Sequence, residues 1–167
     1  MIYSLLAVVA LAFGLWALTP GGDAVQRHAV EVDSVAAYAG EQVDYPVYVP
    51  VGLPEGWEVT TVRLSTIAGQ ETWRIGVVSP AQEYAVLSQT QNPSDAWREA
   101  VLGETGSLGE VTLQGPDGPR GWQLWSGSGI TALVLEPYAG QPATTVVHGS
   151  ADRTELAEFA VHLEPRT

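Results

Sequence analysis

The sequence predicts an α+β fold: an antiparallel sheet of about seven strands, two or three helices packed on it, and an N-terminal transmembrane helix ahead of both. Three observations carry that prediction. Short stretches with alternating or continuous apolar residues recur along the chain, separated by Gly, Pro, Asn and Asp. Two segments open on helix-capping residues and place apolar side chains at helical spacing. Residues 2–18 carry no charge, and Ser4 is their one clearly polar side chain.

Read as a helix, residues 2–18 span about 26 Å at 1.5 Å per residue, close to the roughly 30 Å of a bilayer's hydrocarbon core. Tyr3 and Trp16 lie near its two ends, where amphipathic rings favour the membrane interface. Thr19-Pro20-Gly21-Gly22 ends it. A cleaved signal peptide would need a basic lead and a small-x-small site after the apolar run, and Ala10-Leu11-Ala12 comes too early. A helix on the surface of a globular domain would need a polar face. The expected organisation is a lipid-bilayer anchor over 1–20, a tether over 21–32 and a soluble α+β domain over 33–167. No base precedes the apolar run and Arg27 follows it, so the positive-inside rule says little about orientation. The size and acidity of the following domain favour placement outside the cytoplasm.

The domain opens with Val32, Val35, Ala36, Ala39 and Val43 at helical spacing, which predicts a short helix with Asp33 or Ser34 as its cap and an end near Gln42. Residues 45–57, YPVYVPVGLPEGW, cannot be helical, because Pro46, Pro50 and Pro54 fix φ and remove donors. Val47, Val49, Val51 and Leu53 would share one side of an extended chain. A strand over 57–67 carries a parity slip, which predicts a bulge near Thr60-Thr61. After an Ala68-Gly69-Gln70 turn, Trp73, Ile75 and Val77 alternate with Arg74 and Gly76. A third strand follows over 84–90, completing an antiparallel meander.

Asn92 and Pro93 suit the N-cap and first position of a helix that Gly103 ends. Residues 103–109 read as a loop, 110–114 and 121–126 as strands around a 115–119 turn, and 130–136 as a strand covered on both faces. Residues 143–149 read as the last strand. Asp152 and Glu155 have capping-box spacing, and the helix after them should bury Leu156, Phe159, Ala160 and Leu163 and stop at Pro165. The Pro-x-Gly-Trp pattern at 54–57 returns at 119–122, each copy expected ahead of a strand; this is reused turn chemistry rather than a repeat.

Composition narrows the chemistry. The chain has 19 acidic residues against 7 basic ones, a net charge of −12. Such a chain repels phosphate backbones, so nucleic acid is not an expected partner. Without cysteine there is no thiolate nucleophile and no Cys-based zinc site. His148, Glu158 and His162 have zinc-compatible ligand types but no fixed motif spacing, and Glu158 with His162 reads as a solvated helix pair. Ser126-Gly127-Ser128-Gly129 lacks the G-x-S-x-G spacing and sits between strands, so it reads as a tight hairpin. Gly103, Gly106 and Gly109 have no helix to complete a phosphate loop. No catalytic, cofactor or metal site is assigned. Glu55 and Glu58 flank Trp57, which should enter the core while both acids face water. Trp122 and Trp125 should face opposite sides of a strand, one in the core and the other available as a recognition surface.

The Pro50-Val51-Gly52-Leu53-Pro54-Glu55-Gly56-Trp57 motif, the Trp73-Arg74-Ile75-Gly76-Val77 strand and Val146-Val147-His148-Gly149-Ser150-Ala151 before the last helix carry a resemblance. Together with the N-terminal apolar span, they resemble an actinobacterial family of membrane-anchored proteins classed as a domain of unknown function. That resemblance implies a membrane-tethered domain and brings no catalytic residue. The element order is also similar to small α/β sandwiches of the PsbP and Mog1 type, many of which assist other proteins. The expected function is a non-catalytic binding or assembly module with a membrane or envelope protein partner. A lipid or small-molecule carrier, with a dry cavity lined by residues such as Trp73, Ile75 and Val134, is the alternative. A hydrolase using acidic residues ranks third.

Overall fold

The computed structural model describes residues 32–127 and 129–166. The anchor expected over 1–20, and the tether up to residue 31, lie outside them. Among the described residues no helix is long and apolar enough to cross a membrane.

The chain runs α1 (Val32–Gly40), β1 (Val47–Pro50), β2 (Glu58–Ile67), β3 (Gln70–Val78), β4 (Tyr84–Gln91), α2 (Asp95–Leu102), β5 (Gly106–Gly115), β6 (Gly118–Gly127), β7 (Ile130–Leu135), β8 (Ala143–Gly149), α3 (Arg153–Val161) and β9 (Leu163–Arg166). Strands β2 to β8 form one seven-stranded sheet in the order β2-β3-β4-β8-β7-β6-β5. Every pairing is antiparallel. Two meanders, β2-β3-β4 and β5-β6-β7-β8, thus join where β8 lies beside β4. All seven strands expected from the sequence are in this sheet.

One face of the sheet carries the larger core. Trp73, Ile75, Val77, Leu87, Trp122, Leu124, Leu133 and Val147 meet α1, α3 and the β1–β9 ladder through Ala36, Ala39, Leu156, Phe159 and Leu163. Strand alternation sends the intervening residues to the opposite face. There Ala132, Val134 and Val146 pack under Trp97, Val101 and Leu102 of α2. Trp97 Nε1 donates to Thr72 Oγ1 at 2.8 Å, so the buried indole keeps a polar partner.

Local chemistry explains several boundaries. The parity slip in β2 is a bulge between Val59 and Thr61. Ile67 pairs with Gln70, and the two residues between them, Ala68 and Gly69, have φ of 46° and 79°. Two positive φ angles suit the right-handed twist of a two-residue hairpin. The Asp152–Glu155 capping box forms: Asp152 Oδ1 accepts from the Glu155 N–H at 2.9 Å, and Glu155 Oε2 from the Asp152 N–H at 3.3 Å.

Other boundaries differ from expectation. Asp33 and Ser34 lie inside α1 rather than ahead of it, and α1 ends at Gly40, two residues before the expected end near Gln42. The N-cap of α2 is Ser94, whose Oγ accepts from the Trp97 N–H at 3.2 Å; Asn92 instead takes a left-handed turn, φ 51°. Strand β5 starts at Gly106, so the expected 103–109 loop is mostly strand. Gly109, with φ 119°, absorbs a register shift there as a bulge. Gly115 pairs with Gly118, which tightens the expected 115–119 turn and places Pro119-Arg120-Gly121-Trp122 inside β6 rather than ahead of it.

The largest difference is β9. Helix α3 ends at Val161, and Leu163 and Pro165 belong to a strand that pairs with β1. Both sides of β1 are covered, so Tyr48 is as buried as Val47 and Val49.

Strand β1 has a strand partner, β9, on one edge only, and buried side chains complete its hydrogen bonding on the other. Trp73 Nε1 donates to the Tyr48 carbonyl at 2.8 Å. Gln89 Oε1 accepts from the Tyr48 N–H at 3.0 Å. The Pro46 carbonyl accepts from Gln89 Nε2 at 3.0 Å and from Gln141 Nε2 at 2.8 Å. Trp73→Phe leaves the Tyr48 carbonyl without its indole donor. The substitution should lower stability by about 1–3 kcal/mol for that group, with a further loss for the missing ring volume. Urea unfolding of the full chain measures it; an unchanged midpoint contradicts the assignment.

A cleft around Arg120 and Tyr138

A surface cleft of about 780 Å³ opens where the β5–β6 turn meets the segment after β7. Its walls include Glu110, Asp117, Arg120, Gln123 and Glu136 with Leu135, Tyr138 and three prolines, Pro119, Pro137 and Pro165.

The turn geometry places these groups. Gly118, with φ 107°, makes a sharp corner between β5 and β6. Asp117 on that corner reaches Arg120 Nη2 at 2.5 Å. Tyr138 and Gln141 exchange two backbone hydrogen bonds at 2.9 Å, closing a small loop on the other side.

Arg120 is the floor of the cleft and is 9% exposed. Its guanidinium carbon lies 5.3 Å from the Tyr48 ring centroid and 5.5 Å from that of Tyr138. Each ring face attracts the cation. The two tyrosine hydroxyls are 2.6 Å apart. Burial raises the Tyr48 hydroxyl well above the ordinary phenol range, and its bond with Tyr138 adds to the shift. Glu136 is bound on the far wall: its carboxylate takes two bonds from Arg98, at 3.1 and 3.2 Å, and one from Thr144 at 3.4 Å.

The residues singled out from the sequence lie elsewhere. Trp122 is core, 1% exposed, against the α3 side of the sheet. Trp125 faces the other side, half-buried beside α2, with Nε1 3.4 Å from Gln123 Oε1. The two do not form one surface. Trp57 is buried and stacks on Phe159 with centroids 5.8 Å apart, while Glu55 and Glu58 are exposed. Trp73 and Ile75 belong to one core and Val134 to the other, so these three do not line a common cavity.

His148, Glu158 and His162 do not converge. His148 Nε2 lies 3.4 Å from Ser88 Oγ on the α2 side of the sheet. Glu158 accepts from Trp57 Nε1 at 3.2 Å, and His162 Nδ1 lies 3.1 Å from the Val51 carbonyl. Among the described residues no group of three or more His, Asp or Glu is placed to hold a metal ion.

Arg120, Tyr138, Tyr48 and Asp117 were not legible as a site. Pro119-Arg120-Gly121-Trp122 reads as turn chemistry ahead of a strand, and residues 137–142 carry no assigned element. That Arg120, near the start of β6, and Tyr138, past the end of β7, share one cleft depends on β6–β7 register.

Fold and cleft define a class: an α+β domain whose sheet carries helices on both faces and a recessed polar-aromatic cleft at one end. The chain belongs to the DUF4245 family of proteins of unknown function, whose family model matches residues 1–163. It is also similar to an olefin beta-lactone synthetase from Stenotrophomonas maltophilia (strain K279a), 30% identical over 103 residues. That match spans 62% of this chain and 18% of the synthetase. Among solved structures, the MucA/MucB complex of Pseudomonas aeruginosa is similar at 11% identity, over 75% of this chain and 37% of the matched chain, with a TM-score of 0.41. A likeness at that level carries no argument.

Two outcomes check this geometry. Arg120→Ala should cost about 2–4 kcal/mol through lost packing between the rings, while Asp117→Ala should cost under about 1 kcal/mol. Equal costs, read from denaturant midpoints, contradict an arginine held mainly by the tyrosines.

The second concerns His148. Its pKa is pushed down from 6.5 to about 4, first by burial and then by the Arg74 charge. Between those values the unfolded chain binds a proton that the folded chain refuses. The stability involved is therefore complete above pH 6.5 and is lost as pH falls toward about 4. His148→Gln should flatten the fall in unfolding free energy over that window; an unchanged slope contradicts a buried neutral imidazole.

Proposed function

We propose that the chain is a membrane-tethered, extracytoplasmic binding or assembly module that performs no covalent chemistry. The apolar run over 2–18 supports the tether, as does the resemblance to an actinobacterial membrane-anchored family. The likeness of the element order to sandwiches of the PsbP and Mog1 type, many of which assist other proteins, points the same way.

The cleft is the observation that carries the reading. Arg120 is committed to Asp117 and two rings, and Glu136 to Arg98 and Thr144. Groups bound in this way fix a shape rather than supply a mobile acid or base. Proline and tyrosine walls add rigid contact area with little entropy to lose, which suits recognition of an extended protein segment. Tyr138, 39% exposed at the rim, is the anchor a partner would meet.

A photoreactive benzoylphenylalanine in place of Tyr138, in the full chain in native membranes, should yield a discrete adduct with another membrane or envelope protein. The same probe in place of Tyr38, which is 60% exposed on α1, should not. Monomer alone from the Tyr138 position, or identical adducts from both, contradicts the reading. Alkaline washing should leave the chain in the membrane pellet; release into the supernatant contradicts the tether.

A further inference from the structure

The α2 side of the sheet holds a second, unrelated set of groups. Arg63 on β2 and Arg74 on β3 are directly opposite each other in the ladder. Like charges at such a position repel, and sheets normally avoid them. Here they stand together in a chain with 19 acidic residues. Among the described residues, the ion pairs of arginine go from Arg98 to Glu136 and from Arg120 to Asp117. Neither Arg63 nor Arg74 has one. Arg74 Nε is buried and has no hydrogen-bond partner.

The register extends the set. Arg74 is opposite Ser88 on β4, and Ser88 Oγ lies 3.4 Å from His148 Nε2 on β8. Their register neighbours Gly76, Val86, Ala132 and Val146 are uncharged. Helix α2 packs over Thr72, Val134 and Val146, at the other end of this face. Two guanidinium groups, a hydroxyl and an imidazole from four adjacent strands thus gather without an acid among them. Guanidinium groups are donors only, and their planar fork matches oxyanions. A buried donor left without a partner costs free energy unless something supplies the acceptor.

We propose that Arg63, Arg74, Ser88 and His148 form a binding site for a phosphate group, carried either by a free phosphate or by a lipid headgroup. Arg74 supplies the buried donor and Arg63 closes the site from the exposed edge. Ser88 and His148 complete the donor set. The ligand relieves the repulsion between the arginines, which accounts for their placement opposite each other on adjacent strands. The surrounding acidic surface keeps unspecific anions away. This site does not depend on the cleft at Arg120.

The test uses the full chain in neutral detergent micelles, with the arginine Nε–H and His148 imidazole signals followed by NMR. One arm adds inorganic phosphate; the other adds phosphatidic acid to the micelles. Saturable shifts of Arg74 and His148, with Arg98 and Arg120 unmoved, are expected in at least one arm. Response to inorganic phosphate assigns a free phosphate, and response to phosphatidic acid alone assigns a headgroup. Arg63→Gln and Arg74→Gln should each weaken the response by about tenfold or more, the cost of one charge-assisted bond. Without ligand, Arg63→Gln should melt at the parent temperature or above it. No shift in either arm, or equal shifts in parent and Arg63→Gln chains, overturns the proposal. Because Arg63 is exposed, its variant keeps the test decisive if Arg74→Gln does not fold.

Discussion

The hydrogen bonds that bind β1 to the main sheet are the constraint on which the rest depends. A strand paired with β9 alone leaves the backbone groups of its other edge to be satisfied by side chains. Trp73, Gln89 and Gln141 do so from β3, β4 and the loop before β8. Tyr45 adds a bond from its hydroxyl to the Gln89 carbonyl at 3.0 Å, and burial pushes that hydroxyl up to about 12. Polar side chains are costly to bury unless fully paired, so this arrangement specifies one position for β1 rather than a range. Strand β9 then has a fixed edge to pair with, and α3 a fixed place to end.

The same strand reaches the cleft. Tyr48 of β1 contributes one of the two rings around Arg120 and the hydroxyl that meets Tyr138. Cleft geometry is thus coupled to the main core through Tyr48, whose backbone is held by Trp73 and Gln89. The opposite face has a different character. Helix α2 covers part of it with Trp97 and Val101, and the remainder carries Arg63, Arg74 and His148. The cleft pairs its charged groups internally, whereas on the opposite face Arg74 Nε is buried without a partner.

Much of the fold was legible because it is local. The bulge near Thr60-Thr61 shows as a parity slip, and Asp152 with Glu155 announces α3 through capping chemistry alone. Trp73, Ile75 and Val77 share one side of β3 and enter the larger core, as their period-2 spacing says. What was not legible is long-range. Leu163 fits a helical stripe equally well as a strand, and only its pairing with Pro50, more than a hundred residues earlier, decides for the strand. Ser94 displaces Asn92 as cap because Gln70, from a distant hairpin, accepts the Ser94 N–H at 2.7 Å. The cleft was hidden for the same reason: Arg120 and Tyr138 are unrelated in the sequence until the register of β6 and β7 brings them together. Trp122 and Trp125 were correctly separated by parity, but parity does not say which neighbour each one meets.

The coupling between β1 and the cleft is tested most directly by hydrogen exchange on the full chain carrying Gln89→Leu. That change removes the partner of the Tyr48 N–H and one donor to the Pro46 carbonyl while leaving every cleft side chain in place. Loss of amide protection over 47–50 together with 118–120 and 138–141, at rates that rise in parallel, is the predicted result. Loss confined to 47–50, with the cleft amides exchanging as in the parent, would contradict the account.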